Sequence, residues 1–137
     1  VKLLLTGSGT VTPPAGTAPH LIDLGFVDER RKREAMAGAT AFCHPSVNES
    51  LGIVLLEAWL AGTPALVHAA GAVLPDQCRR AGGGLWFRDY PEFHESLLLL
   101  LEQPALAERL AASGREFTRR EYAPAAVRQR LLAALTE

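Results

Sequence analysis

Short apolar runs alternate with segments of helical length through most of this 137-residue chain. That alternation predicts parallel β-α-β units with right-handed crossovers. The first run, over 1–6, ends in Gly7-Ser8-Gly9 and reads as a buried strand entering a tight turn. Three prolines and a glycine make 10–19 a loop. Further strands are expected over 20–26, 39–43, 63–68 and 85–87. Helices are expected from Asp28, a capping residue, to about Gly38, then over 51–61, where Gly62 stands as C-cap, and over 75–80. Three more, over 92–102, 105–120 and 124–135, crowd the C-terminal third. The expected fold is α/β: a Rossmann-like parallel sheet of about five strands flanked by helices, with extra C-terminal helices.

The length suits one domain with a real core, or part of a larger unit. The chain begins at Val1, directly in a strand-like run, which suggests a piece cut from a longer protein. A formal net charge of -1 removes the electrostatic case for nucleic acid or a membrane surface as partner. No apolar run reaches the roughly 20 residues of a membrane span, and no secretory signal heads the chain. Cys43 and Cys78 have no metal-ligand or redox spacing. Free thiols in a reducing cytoplasm are the plain reading, with a disulfide between them the alternative.

One carboxylate stands out. Glu57 is the sole charge between Glu49 and His68, in a segment over 51–61 that is otherwise apolar on almost every side. Such a helix is expected to be buried. A carboxylate inside it needs a polar partner, either a protein group or a ligand hydroxyl. In an open α/β sheet, ligands sit beyond the carboxyl ends of the strands. Three loops lie there, Gly7-Ser8-Gly9, Gly25-Phe26-Val27 and His44 through Gly52, and they are expected to share one crevice. The helix opening at Leu51 would turn the amides of Leu51, Gly52 and Ile53 toward it, a site suited to phosphate. Ser46 and Asn48 either cap that helix or face the ligand; Glu49 either favours the helix dipole or touches the ligand. His44 either reaches a sugar or is structural.

The residues Phe42-Cys43-His44-Pro45-Ser46, then Glu49-Ser50-Leu51-Gly52, then Glu57-Ala58 and Gly62-Thr63-Pro64-Ala65 resemble retaining glycosyltransferases of the GT-B fold, family 4 or group 1 type. Their mark is a pair of glutamates with a glycine between, followed by Gly-x-Pro-Val. Leu4-Leu5-Thr6-Gly7-Ser8-Gly9, Leu24-Gly25-Phe26-Val27 and the segment 71–77 are similar to flanking pieces of that pattern. Leu51 replaces the usual phenylalanine, and Asp76 is one carbon shorter than the usual glutamate.

The resemblance implies a nucleotide-sugar (donor) binding domain over 1–137, the C-terminal half of a GT-B fold. It implies a fragment lacking both the N-terminal acceptor domain of the same polypeptide and its own first β-α unit. Glu49 would act at the donor sugar as the catalytic residue. Gly7, Phe26, Val27, Ser46, Ser50, Leu51, Gly52, Ile53 and Glu57 would bind the donor, with Glu57 on the ribose hydroxyls, Phe26 and Val27 at the base, and the amides of 51–53 at the diphosphate. The family's phosphate-clamping arginine and lysine have no counterparts, since Lys2 and Lys32 stand elsewhere. The implied parent is a cytoplasmic hexosyltransferase using a nucleoside diphosphate sugar, with no cofactor and no metal; the fragment alone would be inactive. Alternatives are a stand-alone nucleotide-sugar binding or interaction module, and, further off, a GT-B epimerase or phosphorylase.

Overall fold

The computed structural model describes residues 1–136. All five expected strands are present and every pairing is parallel. They are β1 (Leu3–Leu5), β2 (Leu21–Asp23), β3 (Phe42–His44), β4 (Ala65–His68) and β5 (Gly84–Phe87). One feature differs from a single sheet. β1 pairs with β2 in a two-stranded sheet, and β3-β4-β5 form a separate three-stranded sheet. The physical difference between the two lies in burial. β4 is the central strand of its sheet, and Ala65, Leu66 and Val67 are fully buried. β1 has no such cover, leaving Leu3 and Leu4 exposed. Parallel strands persist where both faces are covered.

The helices are α1 (Glu29–Ala37), α2 (Ile53–Ala61), α3 (Val73–Ala81), α4 (Tyr90–Glu102), α5 (Pro104–Tyr122) and α6 (Pro124–Thr136). A single 3-10 turn, Ala18–His20, precedes β2. Asp28 caps α1 as expected, its carboxylate accepting from the Arg31 amide at 2.7 Å. Gly62 closes α2 with φ 93°, its amide donating to the carbonyls of Ala58 and Trp59. Pro75 lies in the first turn of α3, where a missing amide hydrogen costs nothing. α3 therefore starts two residues before the expected Pro75.

Alternating residues of β4 serve two cores, which makes the three-stranded part a covered α/β layer. Ala65 and Val67 join Leu55, Leu56 and Trp59 of α2, Leu74 and Cys78 of α3, and Phe117 of α5. Leu66 joins Phe87, Leu100 of α4 and Ala107 of α5 on the other face. Trp59 anchors the first core. It is fully buried, its Nε1 donates to the Gly83 carbonyl at 2.7 Å, and its ring meets Phe117 edge-on. Gly83 and Gly114 are small because a Cβ on either would fall within 2.6 and 2.5 Å of the indole.

α2 is not buried on all sides, contrary to its uniformly apolar sequence. Leu55, Leu56, Ala58 and Trp59 are enclosed, while Ile53, Val54 and Leu60 remain exposed. The reason is the set of neighbours: α1, α5, β3 and β4 pack against α2, and the face that carries Ile53, Glu57 and Leu60 at helical spacing is left partly open. α6 likewise carries exposed Val127, Leu131, Leu132 and Leu135. No described helix is long and apolar enough to cross a membrane.

Candidate functional site

The site is organised by the junction between β3 and α2. Gly52 is the N-cap of α2 and has left-handed backbone, φ 68° and ψ 50°. A Cβ there would fall 2.5 Å from Leu74 Cδ2, so glycine is required by both conformation and space. The Gly52 carbonyl accepts from the amides of Leu55 and Leu56, and no side chain caps the helix. The amides of Ile53 and Val54 therefore form the open first turn of a nine-residue helix. This shifts the expected amide set by one step: Leu51 lies before the helix, and its carbonyl accepts from Gln77 Nε2. Gln77 is buried on α3 and ties that helix to the turn. Gly71 lets the next loop approach, since a Cβ there would lie 3.3 Å from the Val47 carbonyl oxygen.

Each of the two glutamates has found a basic partner. Glu49 Oε1 lies 2.9 Å from His44 Nε2, both side chains about three-quarters buried. Their proximity follows from β3 ending at His44 and the chain returning over the loop to Glu49. Glu57 meets Lys32 of α1, whose Nζ lies 3.1 Å from Oε1 and 3.0 Å from Oε2. The same ammonium is 3.0 Å from Glu29. Hydrogen bonding to Glu29, then to Glu57, outweighs desolvation and raises the Lys32 pKa. The alignment of α1 on α2 is fixed a second time by Thr63 Oγ1, which donates to the Met36 carbonyl in a buried bond.

The remaining expected residues fall in two places. Gly7, with φ 144°, donates its amide to the Gly25 carbonyl at 2.9 Å, so the β1 and β2 turns are joined. Phe26 is 87% exposed and Val27 half-buried, immediately before the Asp28 cap. Lys32 lies one helical turn past the Asp28 cap, so the residue that grips Glu57 is on the helix entered directly from Phe26 and Val27. Ser46 is half-buried with its Oγ 3.5 Å from the Asn48 carbonyl, and Ser50 is exposed. Asp76 is committed to Arg79 and Arg80 on the exposed side of α3.

The expected crevice is instead an open surface. Phe26, Leu51, Ile53 and Val54 are exposed. Two shallow clefts lie elsewhere, one of about 630 Å³ beside Trp86, Arg88 and Glu92, another of about 340 Å³ beside Gly62, Leu100 and Pro104. Neither includes Glu49, Glu57 or the tip of α2. The sequence reading missed Lys32 and Gln77 as parts of the site. Lys32 carried one signal, its i,i+3 spacing from Glu29, but nothing local tells that α1 lies on α2. Among the described residues, no group of three or more His, Cys, Asp or Glu is placed to hold a metal ion. Cys43 and Cys78 are unpaired, and burial pushes the Cys78 thiol up to about 12.

The family model described as "Glycosyl transferases group 1" matches residues 15–117, which hold α2 and both glutamates. The chain belongs to the group 1 glycosyl transferases. It is 36% identical over 128 residues to the phosphatidyl-myo-inositol mannosyltransferase of Mycobacterium leprae, covering 88% of this chain and 34% of that protein. It is 33% identical over 120 residues to the D-inositol 3-phosphate glycosyltransferase of a Nocardioides species, covering 86% of this chain and 25% of the relative. The chain thus spans about a third or less of these group 1 relatives. In fold it is similar to the sucrose-phosphate synthase of Thermosynechococcus elongatus, with TM-score 0.78 and 23% identity over 98% of this chain and 38% of that one. A comparable likeness is to Anabaena Alr3699/HepE, solved in complex with UDP, with TM-score 0.80 and 17% identity over 99% of this chain and 41% of that one.

Proposed function

We propose that this chain is the donor-binding domain of a retaining glycosyltransferase that transfers a hexose from a nucleoside diphosphate sugar to an acceptor held by a second domain of the same polypeptide. The observation that carries the reading is the arrangement around α2. An uncapped helix tip offers the Ile53 and Val54 amides, and Glu57 sits one turn further along the same helix. Amides suit the diphosphate, and a carboxylate suits the vicinal hydroxyls of a ribose. Phe26 and Val27, at the entry to the helix that carries Lys32, offer an apolar surface for a base. The naming of relatives as a mannosyltransferase and a glycosyltransferase, and complexes of Alr3699/HepE with UDP and UDP-glucose, support a sugar nucleotide as donor.

In this reading the diphosphate departs with its developing negative charge against the α2 tip. Preorganised amides stabilise that charge without reorganising during the reaction. Glu49, oriented by His44, faces the sugar and stabilises positive charge developing at its reacting carbon. Gly52 keeps the α2 tip accessible. Ser46 and Ser50 supply hydroxyls at the loop preceding the helix, and Gly7 underlies the nucleotide. The open surface leaves the other wall of the cleft to the second domain, so the chain by itself is expected to bind donor weakly and to turn over nothing.

Isothermal calorimetry with UDP, GDP and ADP, each against its 2′-deoxy form, tests this. One ribonucleoside diphosphate is expected to bind more tightly than its deoxy form, and Glu57→Ala is expected to erase most of that difference. Equal affinity for ribo and deoxy forms of every base would remove the reading. So would steady release of free nucleotide from donor sugars by the purified chain, which would contradict its dependence on a second domain.

A further inference from the structure

Lys32 is built into the site more deeply than a surface ion pair requires. It bridges two helices, 25 residues from Glu57 in sequence, and its side chain is only 22% exposed. Its ammonium straddles the Glu57 carboxylate, 3.1 Å from Oε1 and 3.0 Å from Oε2, but only the Oε1 contact is aligned as a hydrogen bond. Oε2 is shut off from solvent and has no aligned donor among the described residues. Glu57 is therefore a half-satisfied carboxylate, with one oxygen fixed and one acceptor in reserve. An acceptor that has already lost its water gains the whole of the next hydrogen bond rather than exchanging one.

We propose that Lys32 is a specificity-determining positioning residue for the nucleotide ribose, acting through Glu57. It anchors Oε1 and leaves Oε2 to accept from a ribose hydroxyl. The proposal rests on the donor-binding reading. Glu29 makes the arrangement workable. It is 72% exposed and shares the ammonium at 3.0 Å, so it helps hold the lysine on Oε1 when a hydroxyl takes its place at Oε2. Arg30 pairs instead with Glu34, so the partner of Glu57 is this lysine rather than a neighbouring arginine. Sequence spacing supports the same geometry. Lys32 lies one helical turn from Asp28, where the Phe26–Val27 strand exit begins α1. The base-facing and ribose-facing groups are thus coupled by one short rigid piece of helix.

The test measures the ratio of the 2′-deoxy to the ribo dissociation constant for UDP, GDP and ADP by calorimetry. The variants are Lys32→Met, Lys32→Arg, Glu57→Gln and the Lys32→Met/Glu57→Gln pair. A hydrogen bond to a charged acceptor predicts a ratio on the order of tenfold in the native chain for the preferred base. Lys32→Met is expected to bring it to within about twofold of unity. Lys32→Arg should retain most of it, and the double variant should fall no further than Glu57→Gln alone. Inorganic pyrophosphate, which reports only on the helix tip, should bind all four variants like the native chain. A second readout needs no substitution. Lys2 and Lys32 are the only lysines, so reductive ¹³C-methylation gives two lysine NMR signals beside that of the N-terminal amine, and the ribonucleotide should move the Lys32 signal while the deoxy form leaves it in place. A native ratio kept in Lys32→Met but lost in Glu57→Gln would overturn the role of Lys32 and leave the donor-binding reading standing. A native ratio of one for every base would overturn both.

Discussion

Gly52→Ala isolates how the α2 tip is held. The native residue sits at φ 68°, where an L side chain costs about 1–2 kcal/mol. The added methyl would lie 2.5 Å from Leu74 Cδ2, inside van der Waals contact. Leu74 cannot simply swing away, because it is 1% exposed and packed with Trp59, Cys78 and Phe117. Overpacking a filled core costs a further 1–3 kcal/mol, so the total is about 2–5 kcal/mol. Urea unfolding followed by tryptophan fluorescence measures it as a fall in midpoint at unchanged slope. The two contributions separate in a double-mutant cycle. Leu74→Ala alone loses about 2–5 kcal/mol through its cavity. Adding Gly52→Ala to it should cost only the backbone part, so the pair should be less destabilised than the sum by about 1–3 kcal/mol. If Gly52→Ala alone shifts stability by less than about 0.5 kcal/mol, the left-handed cap with its close approach is wrong.

Two other outcomes are expected. Gly114→Ala places a methyl 2.5 Å from the Trp59 ring, between two packed helices, and should destabilise by about 1–3 kcal/mol with a change in tryptophan emission; native emission and midpoint would show that α5 lies further from α2. Lys32 is held above its ordinary 10.5 by Glu29 and then Glu57, so folding favours its protonated form. Its contribution is fully present below pH 10.5 and is lost as pH rises through the higher folded value. Stability between about pH 10 and about pH 12 should therefore fall more steeply in the native chain than in Lys32→Met, which keeps only the decline that the buried Cys78 thiol shares with it; parallel declines would remove the coupling.

What could be read from the sequence was whatever depends on neighbours in the chain. Asp28 as a cap, Gly62 as a left-handed stop and the five strands each follow from a few adjacent residues, and each is where the pattern put it. The family was equally legible, because its mark is a spacing within nine residues from Glu49 to Glu57. What escaped depends on packing between distant segments. The division of five strands into two and three turns on which strands find covered faces, and the three leucines of β1 look as core-bound as Ala65–Val67 of β4. The exposure of Ile53 and Val54 depends on which face of α2 its neighbours cover. The requirement that Glu57 have a polar partner was sound physics, but that the partner is Lys32 depends on the angle between α1 and α2, which no local pattern carries.

α2 serves as both the keystone of the larger core and the proposed ligand-binding element. Leu55, Leu56 and Trp59 fix its axis from within, and Glu57 sits between them in sequence on the partly open side. A substitution on the buried side therefore moves the tip amides and Glu57 together, and loss of binding in such a variant says nothing about contact with ligand. The discriminating substitutions are on the open side, at Ile53, Val54, Glu57 and Lys32, where core burial is smaller. Proteins place binding groups on rigid elements because a shift of an ångström weakens them sharply. Here the rigidity comes from an aromatic side chain with its one polar atom satisfied at 2.7 Å, and the glycines around Trp59 are what allow that element to be packed so tightly.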